Sequence, residues 1–285
     1  VKYRFDVQVG PVAFRIGAAW RPPIAALESL YRNYPKPSGV PDFTVRLEPS
    51  SPWRRWVRPS VAIAGDFTLP EAAPLPLRLG LLAAEMGMNL QLALGERRFL
   101  LLHAASVERD GRALILTGES GAGKSTLATL LGNHGWRFMG DEFALIDPES
   151  GMAFPFPRPS SLKNESIDAA LMMIEAARFG PLLEDTPKGR VRHVAPLASA
   201  LAAMRLPAAP ALLLFPRFGL PEAARPVPPS EAFVRLTQAS TNYGALGERG
   251  FAALTGLVEE VPSVAVDYPD MAIARRMIDD LWGAL

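Results

Sequence analysis

Eight consecutive residues, Gly118-Glu119-Ser120-Gly121-Ala122-Gly123-Lys124-Ser125, spell a complete G-x-x-x-x-G-K-[ST] phosphate loop. Glycines at these positions let the backbone curl so that successive N–H groups face one oxyanion. A helix expected to begin near Lys124, with Ser125, Thr126, Leu127 and Ala128, brings the positive end of its dipole to the same point. Lys124 supplies a mobile cation for the outer phosphates, and the Ser125 hydroxyl is placed to ligate Mg²⁺. The preceding run Arg112–Thr117 reads as an apolar strand, which is the context this motif requires. The ligand predicted is a nucleoside triphosphate.

A phosphate loop needs an acid to complete a magnesium shell or to activate a nucleophile. Asp141 and Glu142 follow a short strand at 136–139, with Asp141 seventeen residues beyond Lys124. A helix leading away from the loop and a strand returning from it bring these acids back to the phosphate side. Asp141 can then take the proton of an attacking hydroxyl while Mg²⁺ and Lys124 stabilise the transferring group; Glu142 is a further metal candidate. Acids so near the loop favour a compact phosphotransferase. His103 is expected at the end of a strand, 99–107, that pairs with the strand entering the loop. It reads either as a satisfied core histidine or as a charge near the phosphates that titrates around neutral pH. His134 reads as a helix-terminal cap.

The elements that must position these groups are legible as an α/β chain with α+β tendencies. Strands at 3–9 and 12–16 alternate around Gly10-Pro11, a helix follows at 22–34, and further strands are expected at 43–47 and 61–67. The proline-rich stretch Leu69–Pro76 is the expected boundary between a small β-rich module at 1–75 and a catalytic domain at 76–285. Within the latter, a helix is expected at 77–94, a hairpin around 143–151, a helix in 160–179, a buried strand at 212–215, and an amphipathic helix at the C-terminus.

Bulk properties exclude several classes. The chain has 285 residues, 49% hydrophobic and 21% charged, with net charge +1, so no global field argues for nucleic acid or an anionic membrane. Arg54, Arg55 and Arg58 beside Trp53 and Trp56 read as a solvated loop over tucked-in aromatics rather than a nucleic-acid surface. Cysteine is absent, which removes thiolate chemistry and fits a cytoplasmic location, and three histidines show no zinc spacing. Charges and prolines interrupt both long apolar stretches, so no membrane span is expected.

The runs Leu102–Ala113, the loop, and Gly135-Trp136-Arg137-Phe138-Met139-Gly140-Asp141-Glu142 together resemble the HPr kinase/phosphorylase superfamily, most closely its HPr-kinase-related kinase A branch. Pro155–Ile167 and the N-terminal strand-and-helix region resemble that branch too. The resemblance implies a P-loop core similar to HPr kinase and phosphoenolpyruvate carboxykinase, with ATP and Mg²⁺ as cofactors. It also implies transfer of the γ-phosphoryl group to a hydroxyl, with Asp141 as base, His103 near the phosphates, and Ser125, Asp141 and Glu142 toward the metal. The acceptor implied is a peptide, protein or small molecule, and homo-oligomeric assembly is implied as well. Two features depart from HPr kinase: Asp141-Glu142 replaces paired aspartates, and Arg158–Ile167 stands where a glutamate-arginine-glycine signature would be. Arg158 and Lys163 read either as phosphate or substrate contacts or as solvated charges. The basic run Lys188-Gly189-Arg190-Val191-Arg192-His193 reads either as a mobile substrate loop, with Arg190, Arg192 and His193 as contacts, or as a plain exposed loop. A module that binds nucleotide to set a conformation, without phosphotransfer, is the alternative function.

Overall fold

The computed structural model describes residues 1–68 and 73–285, so Leu69 to Ala72 of the expected connector lie outside the described residues. Contacts divide the chain into two compact units. One comprises Val1–Glu96 with Ser161–Ala195, and the other Arg97–Ser160 with Pro196–Leu285.

The chain opens with β1 (Tyr3–Val9) and β2 (Val12–Ala18), an antiparallel hairpin turned at Gly10, whose φ of 52° suits glycine. Helix α1 (Arg21–Leu30) starts on prolines that need no N–H partner and buries Ile24, Leu27 and Leu30, as its spacing predicts. Strands β3 (Phe43–Pro49), β4 (Ser60–Gly65) and β5 (Leu75–Pro76) complete a sheet ordered β1-β2-β3-β4-β5. Helix α2 (Gly80–Gly95) packs on β3 and β4. Gly87 makes this approach: a Cβ there would lie 2.5 Å from Val45 Cγ1. Its buried Glu85 accepts a hydrogen bond from Tyr31 Oη at 2.8 Å, which explains a carboxyl group in so apolar a helix. Because α2 covers this sheet, the first unit extends to Glu96 instead of ending at the proline-rich stretch.

Next come β6 (Leu100–Leu102), β7 (Ala104–Arg109), β8 (Arg112–Thr117), α3 (Lys124–Leu131), β9 (Arg137–Gly140), β10 (Ala144–Ile146) and β11 (Ala153–Phe154). The β7–β8 turn places Asp110 and Gly111 at φ 55° and 77°, a turn that follows strand twist. The chain continues through β12 (Ser160–Lys163), α4 (Glu165–Leu171), β13 (Phe179–Thr186) and β14 (Gly189–Val194), with sheet order β12-β14-β13. The helix expected in 160–179 is therefore a strand followed by two turns of helix, with Leu171 exposed. Last are α5 (Ala198–Ala202), β15 (Ala209–Phe218), β16 (Ala223–Pro226), α6 (Pro229–Ala239), α7 (Tyr243–Leu246), α8 (Glu248–Glu260), β17 (Ser263–Tyr268) and α9 (Met271–Gly283).

The second unit is built on a six-stranded mixed sheet ordered β16-β17-β15-β8-β7-β9. Side chains of β8 alternate between its faces. Ala113 and Ile115 enter the core under α6, α8 and the β6–β10–β11 sheet, while Leu114 and Leu116 join the core under α3 and α9. Burial on both faces explains why β8 reads as a continuous apolar run. No helix among the described residues is long and apolar enough to cross a membrane.

Candidate active site

The motif residues occupy the turn between the C-terminal end of β8 and the start of α3. Gly118, Gly121 and Gly123 have φ of 149°, 89° and 88°, values that a side chain would oppose. Gly123 is the N-cap of α3, and no side chain caps that end, so the first-turn amides of Lys124, Ser125 and Thr126 keep the donor character that suits a phosphate. Above Gly121 a Cβ would meet nothing within 4 Å. Lys124 is only 8% exposed, and its Nζ donates to the carbonyls of Gly118 and Glu119 at 2.6 and 2.8 Å. The loop thus fixes its own cation.

Tyr268 was not legible as a site residue. It ends β17, is fully buried, and donates from Oη to the Ala122 carbonyl at 3.1 Å. A Cβ on Gly123 would lie 2.6 Å from that oxygen, so this glycine is required by contact as well as by φ. Burial pushes the Tyr268 phenol well above its ordinary pKa, keeping it a neutral donor. Thr117, the last residue of β8, also escaped the sequence reading; its Oγ1 is buried with no hydrogen-bond partner at the root of the loop.

Strand register places the acids. Ala104 of β7 lies opposite Thr117 of β8, and Ser106 lies opposite Gly140 of β9, both pairs antiparallel. Strands β8 and β9 therefore run the same way and end at one edge of the sheet, with β7 between them. The acidic strand is one position farther from the loop strand than direct adjacency would place it. Helix α3 spans that gap by packing on both β7 and β9. Asp141, 4% exposed, leaves β9 at this edge, followed by Glu142 at φ 75°, a left-handed value that costs a side-chain-bearing residue energy.

His103 differs from expectation. The run 99–107 is two strands in different sheets: β6 pairs with β10, β7 pairs with β8, and His103 is the corner between them. Its amide donates to the Ala239 carbonyl at 2.8 Å, and the ring sits edge-on to Phe143. The side chain is 45% exposed, so it is no core histidine, and its Nδ1 lies 3.8 Å from Glu142 Oε2. His103 and Glu142 are thus brought together at the edge where the loop begins. His134 Nδ1 donates to Leu130 O at 2.8 Å, the capping role expected.

Arg158 is 4% exposed and lies over the Phe156 ring, so it is not a solvated charge. Phe156 forms a parallel bridge with Gly140, the last residue of β9. Lys163, Arg190, Arg192 and His193 belong to the other compact unit. There the run expected as a loop is strand β14: Arg190 pairs with Asp168 at 2.8 Å, Arg192 donates to Gly180 O at 2.9 Å, and His193 is buried.

The residues present fit a magnesium nucleotide. The glycine cradle with its helix N-terminus suits phosphate, and the Ser125 hydroxyl and Asp141 carboxylate are the hard oxygen donors Mg²⁺ takes. Among the described residues no three His, Asp or Glu side chains form a cage. Mg²⁺ commonly takes one or two protein oxygens and completes its shell with phosphate and water.

A family model described as SynChlorMet cassette protein ScmC matches residues 83–206, a stretch that includes the loop, Asp141 and Arg158 but less than half of the chain. A search of curated proteins finds no match. Among solved structures, the chain is similar to the Hpr(Ser) kinase/phosphatase from Coxiella burnetii, with 12% identity and a TM-score of 0.29 over 64% of this chain and 97% of that one.

Proposed function

We propose that this chain is an ATP- and Mg²⁺-dependent kinase that transfers the γ-phosphoryl group to a hydroxyl of a peptide, protein or small molecule. The observation that carries the reading is the loop Gly118–Ser125 between β8 and α3, with Lys124 bonded into it and Asp141 ending a strand at the same sheet edge. When bound, ATP supplies the transferable phosphoryl group and Mg²⁺ neutralises its oxygens. Loop amides and Lys124 hold that group and offset charge spread over it. Asp141 accepts the proton of the acceptor hydroxyl as its oxygen bonds to phosphorus and the bond to the leaving oxygen breaks. His103 and Glu142, 3.8 Å apart, line the same edge beside Asp141.

The test is mass spectrometry of candidate peptides and a cell extract incubated with the protein and γ-labelled ATP, with Asp141→Asn as control. Labelled product from the wild type alone supports the reading. Equal ATP binding by both proteins without transfer to any acceptor removes it in favour of a nucleotide-gated module.

A further inference from the structure

Between β3 and β4 the chain makes a 3₁₀ turn, Pro52–Arg55, that does not tuck its aromatics inward. Trp53 and Trp56 are 52% and 74% exposed, and Val57 beside them is 57% exposed. The turn is nonetheless fixed: the Trp20 indole donates to the Arg55 carbonyl at 2.9 Å, and the Arg54 guanidinium lies 4.2 Å from the Trp53 ring centroid. The Arg55 guanidinium lies farther, 5.6 Å, from the Trp56 ring centroid. Large rings held outward by specific bonds are contact surface, because solvent exposure of indole is otherwise unfavourable.

Arg54 also lines a cleft of about 820 Å³ with Arg58, Arg78, Pro59, Pro76 and Leu77. Among the described residues, no acidic side chain lines it. Among the described residues, no ion pair joins Arg54 or Arg58 to a carboxylate. At Arg78 the structure displays the chemistry the cleft accepts, since Asp185 Oδ2 lies 3.3 Å from its Nη2. Both partners are exposed, and Asp185 is held at φ 51°.

We infer that the cleft and the two tryptophans form a docking surface for an extended acidic segment of a polypeptide. Carboxylates of that segment meet Arg54 and Arg58, and its apolar groups meet Trp53 and Trp56. Guanidinium forks recognise carboxylates in a plane, and proline walls beside exposed indoles grip an extended chain with little loss of freedom. Nucleic acid fits less well: three arginines around one turn, Arg54, Arg55 and Arg58, on a chain of net charge +1, do not make a basic track along a backbone. This inference is independent of the kinase reading, since every residue it uses lies in the first compact unit.

The test uses the full chain and three fluorescein-labelled probes: a dodecapeptide alternating Glu and Pro, its Gln–Pro counterpart, and a dodecathymidine. Anisotropy should show saturable binding of the Glu–Pro peptide, weakened by added salt and at least about tenfold weaker in Arg54→Ala/Arg58→Ala. Trp53→Ala should weaken it by a similar factor, and both variants should melt with wild-type cooperativity. Absence of saturable Glu–Pro binding, equal binding of the Glu and Gln peptides, or unchanged affinity in the arginine variant overturns the inference. Tighter binding of dodecathymidine than of the acidic peptide overturns it in favour of nucleic acid.

Discussion

Among the described residues three glycines at positive φ are followed directly by a cation, and the structure uses two of these segments, Gly123-Lys124 and Gly189-Arg190, in opposite ways. Gly123-Lys124 sits at φ 88° and opens a helix whose N-terminus no side chain caps. Gly189-Arg190 sits at φ 80° and closes a hairpin whose polar groups are already paired. Thr186 Oγ1 donates to Gly189 O and accepts from Lys188 N, Asn164 Oδ1 accepts from the Arg190 amide, and Asp168 takes the Arg190 guanidinium. A glycine and a cation suit a ligand loop where no side chain caps the helix amides that follow them. Where those donors are satisfied, the same pair is a turn with a surface charge.

The sharpest way to separate the two is to remove the cations. On the proposed reading, Lys124→Ala should lower ATP turnover at least about 100-fold, since the charge assigned to the transferring group is lost. Calorimetric titration with MgATP and a thermal melt check it; normal turnover in a folded Lys124→Ala protein would dismiss the site. If proton acceptance outweighs metal binding in the proposed role of Asp141, Asp141→Asn lowers transfer about 10²- to 10⁴-fold with little change in MgATP affinity. A parallel loss of affinity would assign Asp141 to metal binding first.

The glycines make the comparison finer. Gly123→Ala and Gly189→Ala should each cost about 1–2 kcal/mol of stability, because both impose a left-handed backbone on a residue with a Cβ. Both also lack room: the added carbon meets Tyr268 Oη at 2.6 Å in one case and Asn164 Oδ1 at 2.3 Å in the other. Only Gly123→Ala should weaken nucleotide binding, since only there does the displaced backbone belong to the proposed phosphate cradle. Denaturant melts and nucleotide titrations on the two variants give the contrast directly.

What was legible follows the range of the interactions. The phosphate loop is eight consecutive residues, so its chemistry and its flanking strand and helix are visible locally. The acids were legible in position but not in strand order, because inserting β7 between β8 and β9 depends on pairing that no periodicity records. His103 looked continuous with its strand since Leu102 and Ala104 are both apolar; what breaks the strand is a second sheet claiming Leu100–Leu102. Tyr268 lies 146 residues from the carbonyl it holds, and no local pattern announces such a contact. The basic hairpin did leave a signal. Val191 and His193 alternate with Arg190 and Arg192, and that period of two is the strand's signature despite the charges.

The smallest expected effect completes the contrast. Arg190→Ala removes an ion pair whose side chains are 44% and 61% exposed, so solvent screens most of its Coulomb energy. The change in stability should be about 0–1 kcal/mol, and added salt should shrink it further. Nucleotide affinity should stay at the wild-type value, because the guanidinium is spent on Asp168 and the strand backbone stays hydrogen-bonded through Asn164. Salt-dependent melts read the first expectation and a MgATP titration the second. A loss of affinity approaching that of Lys124→Ala would mean that the hairpin, too, serves phosphate, and that internal pairing does not disqualify a glycine–cation turn from that role.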